Sequence, residues 1–229
     1  MSRNVEGLIT GRRGSGKSST AKRIATHEER LFVFDPNDEY GDLVSTRVSG
    51  EGEFLEFLEE VPRDRSRYAV RWVPEFDPSG DAEIFFQHVY GATKHYGEGA
   101  TLLIDEAHLL FASAGFTPPH LGRCLRLGRH AGLNVVLVTP RIAEISRSAS
   151  FQADWILCAG AVSEPADLAG LELRASPEFR RTVESLGQFG QALWDAVERK
   201  QRKISPRVLS RLLVPGALKE GAEISSCAV

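Results

Sequence analysis

Three kinds of residue are scarce in this 229-residue chain: it has three cysteines, three tryptophans and a single methionine. Cys124, Cys158 and Cys227 lie far apart and form no CxxC pair, which weighs against a disulfide framework and against a structural zinc site. No apolar run approaches the roughly 18 residues that a membrane span needs. No basic–apolar–small signal pattern opens the sequence, so a cytoplasmic location is expected. Repeats and low-complexity tracts are absent as well. Nor does one sign of charge dominate: the net charge of −3 excludes a uniformly basic nucleic-acid binder. The basic residues are unevenly spread, however. Six lie between Arg199 and Arg211 with no acidic residue among them, and Arg123, Arg126, Arg129 and His130 form a second cluster. Such clusters suit either a solvated face or contacts to phosphates. Arginine greatly outnumbers lysine, a bias that a warm habitat and a high-GC genome both produce.

What the sequence does have is a regular alternation. "VEGLIT", "LFVFD", "YAVRWV", "TLLID", "NVVLVT" and "DWILCAG" read as near-continuous buried strands. "SSTAKRIATHEE", "DAEIFFQHVYGATKH", "PPHLGRCLRLGRHA" and "SPEFRRTVESL" read as helices between them. Strands apolar on both faces, alternating with helices, predict an α/β fold with a mostly parallel central sheet covered on two sides. "FGQALWDAV" and "ERKQRKISP" add a late β-hairpin. The length suits one core, so a single domain over 1–214 is expected, with 215–229 as a loose tail.

The strongest local signal is "GLITGRRGSGKSSTAKRIA". Gly11-x4-Gly16-Lys17-Ser18 is a P-loop pattern, and it stands between a predicted strand and a predicted helix, the context that the motif requires. Glycines let successive backbone N–H groups turn inward around a phosphate, and the helix N-terminus adds partial positive charge. The expected phosphate-binding set is Gly11, Arg12, Arg13, Gly14, Ser15, Gly16, Lys17, Ser18 and Ser19. Lys17 is expected to reach the β- and γ-phosphates and the Ser18 hydroxyl to ligate Mg²⁺.

A second signal is "TLLIDEAH", an apolar strand ending in two carboxylates. Asp105 at the strand end is placed to hold the Mg²⁺ shell, and Glu106 to orient and deprotonate an attacking water. Two adjacent carboxylates also suit the N-terminus of a following helix. Together with a P-loop they point to hydrolysis of a nucleotide, because a nucleotide kinase needs no water-activating Glu here. The letters DEAH occur in helicases with two tandem motor cores, which 229 residues do not hold. Neither "LSGGQ" nor "NKxD" is present, so ATP is favoured by elimination.

Four ordered stretches carry a wider likeness: "GRRGSGKSS", "VFDPNDEYGDL", "LLIDEAHLL" and "RLGRHAGLNVVLVTPRIAEISRSASFQADWIL". With these the chain resembles the FtsK–HerA superfamily of DNA-pumping ATPases, and within it the small viral genome-packaging ATPases, over about residues 5 to 170. The resemblance implies a RecA-like, ASCE-type P-loop NTPase fold and a homo-oligomeric ring of five or six subunits around double-stranded DNA. It also implies active sites between subunits, with an arginine finger supplied in trans. Arg126 and Arg129 stand on the helix that the family uses for the finger. Asp35 and Glu39 match a family acidic motif near the phosphates, and "DPND" is equally good turn chemistry. Where relatives place a polar sensor after a threonine, this chain has Thr139-Pro140-Arg141, so sensing falls to Thr139 or to Arg141. "TKHYGEGA", with Lys94 and His95, and "FASAGFTPPH" are both candidates for loops facing DNA.

The function expected from all this is an ATP-driven translocase of double-stranded DNA that fills a viral capsid, with ATP and Mg²⁺ as cofactors. Its place is then the host cytoplasm or a capsid or portal vertex. Two alternatives stay open: a secretion or conjugation ATPase, and a nucleotide-dependent assembly switch with little turnover.

Overall fold

A computed structural model of the chain describes residues 5–26, 28–61, 67–96 and 99–204. Nine strands form one sheet. In chain order they are β1 (Glu6–Thr10), β2 (Arg30–Phe34), β3 (Arg47–Val48), β4 (Tyr68–Trp72), β5 (Ala100–Ile104), β6 (Leu133–Thr139), β7 (Trp155–Ala159), β8 (Gln191–Asp195) and β9 (Lys200–Ile204). Their order across the sheet is β3-β4-β2-β5-β6-β1-β7-β8-β9. The seven strands from β3 to β7 are parallel, and β8 and β9 continue the sheet antiparallel. The expected late hairpin is therefore an extension of the central sheet. The domain boundary expected at 214, the tail after it, and the basic residues Arg207 and Arg211 lie outside the described residues.

The helices are α1 (Lys17–Ala25), α2 (Glu51–Glu60), α3 (Pro78–Tyr96), α4 (Pro119–Ala131), the short α5 (Arg147–Ser150), α6 (Pro165–Arg174) and α7 (Pro177–Glu184). They cover the two faces unequally. One face carries the larger core, where Phe32, Phe34 and Trp72 of the sheet meet Phe54 of α2 and Phe85 and Phe86 of α3. The rings of Phe54 and Phe85 meet edge-on with centroids 5.1 Å apart, a favoured aromatic geometry. Helix α3 earns its place by spacing: Ala82, Phe85, Phe86, Val89 and Ala92 recur every three or four residues and all are buried. The other face is packed by α1, through Ala21, Ile24 and Ala25, and by Tyr40 and Val44.

Three readings are corrected. The first helix ends at Ala25 and not at Glu29: Thr26 closes it, and by Arg30 the chain is already in β2. Helix α2, in "EGEFLEFLEE", was not expected, because its many acidic residues disguise one buried anchor, Phe54. Helix α6, in "PADLAGLELR", was also not expected; its buried face is Leu168, Gly170 and Leu171.

For the site, the important consequence is which strand ends lie together. In parallel strands every C-terminal end is at one edge of the sheet, and ligands of such sheets bind there. The register pairs Thr10 with Thr139 and with Cys158, and Phe34 with Ile104. The glycine loop after β1, the segment after β6 and the acidic pair after β5 are thus brought to one edge. Strand β6 lies between β1 and β5.

Candidate nucleotide site

The loop Gly11–Gly16 leaves the end of β1 and enters α1. Gly11, Gly14 and Gly16 have φ of 155°, 76° and 89°, a region that L side chains rarely adopt. At Gly11 space forbids a side chain too: a Cβ there would lie 2.2 Å from the Ala159 carbonyl oxygen at the end of β7. The loop closes on itself through Ser15 N–H donating to the Arg12 carbonyl at 3.2 Å. Helix α1 has no side-chain cap at Gly16 and no acidic residue in its first turn, so no first-turn carboxylate competes with an anion for its N–H groups.

In front of this loop is a cavity of about 690 Å³, lined by Arg13, Gly14, Gly16, Lys17, Ser18, Ser19, Asn37, Glu39, Glu106 and Pro140. Six of these belong to the predicted phosphate-binding set. Gly11 and Ser15 support the loop from behind, and the Arg12 side chain is exposed outside the cavity. Lys17 is buried and its Nζ lies 3.7 Å from Glu106 Oε1. Glu106 is a non-glycine residue in the left-handed region, with φ 46°. Such a conformation persists when its surroundings impose it, and here it begins the 3-10 turn Ala107–Leu110 and sets the carboxylate against Lys17. His108 Nδ1 lies 3.3 Å from the other Glu106 oxygen.

Asp105 is wholly buried, and neither of its carboxylate oxygens has a hydrogen-bond partner of full geometry among the described residues. Burial pushes its pKa up to about 7, opposed by the adjacent Glu106 backbone N–H, whose approach falls short of full hydrogen-bond geometry, and by Lys17, and assisted by the Glu106 charge. A buried carboxylate beside a phosphate loop fits a hydrated Mg²⁺ as an acceptor for its waters, although Asp105 itself does not line the cavity. With the Ser18 hydroxyl at the cavity wall, the donor set is all oxygen, as that ion requires.

The sign of the linkage gives a prediction. The folded-state pKa of Asp105 lies above the unfolded value, so its favourable contribution is complete at pH values below about 4 and is lost as pH rises to about 7. Asp105→Asn cannot ionise. Without metal or nucleotide, this variant should match the wild type near pH 4 and exceed it at pH 8 by on the order of 2–4 kcal/mol, at 1.36 kcal/mol per pKa unit. Chemical denaturation across that range checks it; a difference independent of pH would show that the carboxylate is well solvated.

The acidic segment after β2 divides into two roles. Asp35 is fully buried, and its oxygens accept from the backbone N–H groups of Glu39 (2.8 Å) and Tyr40 (2.9 Å). The buried Arg71 of β4 pairs with Asp35 and Asp38 and donates to the Val44 carbonyl. Asp35 is thus a turn organiser, and the turn that it holds delivers Asn37 and Glu39 to the cavity wall. Arg71 was missed by the sequence reading, since nothing local links residues 35 and 71; only the β2–β4 pairing does.

The Thr139–Arg141 segment is placed beside the site by β6, but its polar groups are engaged locally. Thr139 Oγ1 accepts from Arg141 N–H at 3.2 Å and lies 3.1 Å from the Arg141 carbonyl. The Arg141 guanidinium donates to the buried Asp167 at 2.8 Å. The residue of this segment that reaches the cavity is Pro140. The three arginines of α4 also differ. Arg123 stacks over Tyr90, 5.7 Å from the ring centroid. Arg129 pairs with Asp154 at 3.0 Å and with Glu6 at 3.6 Å, a buried carboxylate whose pKa burial raises to about 7. Arg126 is exposed, lies back over Gly122, and forms no ion pair with a described residue. Neither Arg126 nor Arg129 lines the cavity of its own chain. Of the two candidate DNA loops, "FASAGFTPPH" follows the C-terminal end of β5, whereas Lys94 and His95 of "TKHYGEGA" belong to the last turn of α3 and not to a loop, and residues 97 and 98 lie outside the described residues.

A glycine-rich loop joining a central strand to a helix, with an acidic pair two strands away, defines a P-loop NTPase fold. The chain belongs to the AAA domain family, whose match extends over residues 6–145. Comparison with solved structures finds the genome packaging NTPase B204 from Sulfolobus turreted icosahedral virus 2, in complex with AMPPCP, at TM-score 0.75 and 23% identity, covering 89% of this chain and 98% of that one. VirB4 of Thermoanaerobacter pseudethanolicus matches at TM-score 0.63 and 11% identity, over 87% of this chain and 88% of that one. Among curated proteins, Protein P9 of Pseudoalteromonas phage PM2 is 26% identical over 157 residues, 68% of each chain. The resemblance to viral genome-packaging ATPases drawn from the four sequence stretches stands in these comparisons. No described helix is long and apolar enough to cross a membrane.

Proposed function

We propose that this chain is an ATP hydrolase that works as a homo-oligomeric ring and drives double-stranded DNA into a viral capsid. The observation that carries the enzymatic part is the cavity in which Lys17 and Glu106 face each other across 3.7 Å beside the glycine loop. In this reading Lys17 is an ammonium waiting for a phosphate. An incoming γ-phosphate competes with Glu106 for Lys17, and the released carboxylate orients the attacking water and takes its proton. The loop N–H groups and Arg13 hold the phosphate chain. Ser18 and Asp105 would hold Mg²⁺, which on binding supplies neutralisation of phosphate charge. Arg126 acts on the neighbouring subunit's nucleotide.

The DNA-pumping part is supported by the fold likeness to a genome packaging NTPase over nearly its whole length and by the exposed basic groups of α4. A secretion or conjugation motor is the second reading. Displacement of a third strand from a linear DNA duplex, dependent on ATP, separates the two; a motor that moves protein leaves the triplex intact.

A further inference from the structure

Tyr40 Oη and the Asp105 carboxylate are both completely buried, and neither has a hydrogen-bond partner among the described residues. Chain geometry places them at one corner. Asp105 N–H donates to the Phe34 carbonyl at 3.0 Å, so Asp35 and Asp105 follow the ends of adjacent strands. Strand alternation puts both on the side of Val33 and Leu103, the face that α1 covers, and Tyr40 is packed into that same face. The turn held by Asp35 folds Tyr40 back over these strand ends. Lys22 of α1 lies 5.5 Å from the ring centroid. Burial pushes the Tyr40 hydroxyl's pKa up, and the nearby carboxylates, Asp105 first among them, act in the same direction. Asp35 is already engaged by two N–H groups and Arg71. Asp105 is the acceptor with capacity to spare.

A phenylalanine would fill this position without desolvating a hydroxyl, so a tyrosine kept here without a partner points to one supplied at another stage of the cycle. We propose that Tyr40 is a positioning residue for Asp105. Its hydroxyl donates to the Asp105 carboxylate through one water, and fixes that carboxylate as acceptor for the waters of the Mg²⁺ that accompanies the nucleotide. This rests on the nucleotide-site reading above. Groups that orient a metal-binding carboxylate contribute about 10–100-fold in metal affinity.

The test uses the full chain, a fluorescent ADP as probe, and titration with MgCl₂ from a chelated baseline. Tyr40→Phe should fold with an unchanged circular dichroism spectrum and bind the probe normally without metal. It should need about tenfold more Mg²⁺ for the half-maximal metal-dependent gain in affinity. In an Asp105→Asn background the same substitution should have no further effect. An unchanged Mg²⁺ midpoint in Tyr40→Phe, even with a lowered melting temperature, would reduce the hydroxyl to a structural group and overturn the proposal. A tenfold loss persisting without Asp105 would overturn it as well. If the wild type itself showed no response to Mg²⁺, the reading of the nucleotide site would fall, and Tyr40's role with it.

Discussion

Arg126→Ala should lower ATP turnover by about 10³–10⁵, the usual range for an arginine finger, while nucleotide binding persists. The size follows from charge: as the γ-phosphoryl leaves, negative charge spreads over its oxygens, and a guanidinium there stabilises the transition state more than the ground state. The choice of Arg126 follows from its neighbours. Arg123 is stacked on Tyr90, and Arg129 is held between Glu6 and Asp154. Arg126, one turn from each, forms no ion pair with a described residue. Because it is not part of its own chain's cavity, the proposal assigns it to another subunit's phosphate. Mixing tests this directly. Arg126→Ala combined with Glu106→Gln under subunit exchange should regain part of the activity, because some interfaces then pair an intact arginine with an intact carboxylate. Undiminished turnover in Arg126→Ala, or no recovery on mixing, would remove the trans finger from Arg126.

Glu106→Gln should separate binding from chemistry. The amide keeps the shape and can still approach Lys17, but it cannot accept a proton from water, so turnover should fall by about 10²–10⁴. Nucleotide affinity should be unchanged or higher, since the Lys17–Glu106 attraction that opposes phosphate entry is weakened. Equilibrium binding and single-turnover hydrolysis measure the two effects separately. Equal turnover in variant and wild type would make Glu106 a helix-start residue and nothing more, the alternative that its position before the Ala107–Leu110 turn leaves open.

Much of this site was legible because its chemistry is local. Glycines, lysine and hydroxyls at fixed spacing, and an apolar strand ending in Asp-Glu, each specify a strand, a loop and a role within a few residues. Parallel-sheet geometry then brings separate motifs to one edge without further information. What escaped the sequence reading is non-local or disguised. Arg71 organises a turn 36 residues earlier in the chain through a strand pairing that no periodicity reveals. Pro140 reaches the cavity because β6 runs beside β1, and Tyr40 and Asp105 are both buried without a hydrogen-bond partner among the described residues; both facts exist only in three dimensions. The three arginines of α4 look equivalent at i, i+3 and i+6, and only their neighbours distinguish them. Helix α2 was hidden by acidity, since a helix that buries one phenylalanine shows little apolar stripe.

The central claim is that hydrolysis at this cavity moves duplex DNA. It is tested most directly by a linear duplex carrying a labelled third strand, incubated with the wild-type protein and ATP. The account predicts displacement of the third strand with ATP and its loss both with a non-hydrolysable analogue and in Glu106→Gln. Robust ATP hydrolysis that leaves the triplex intact, and whose rate ignores added duplex, would contradict it.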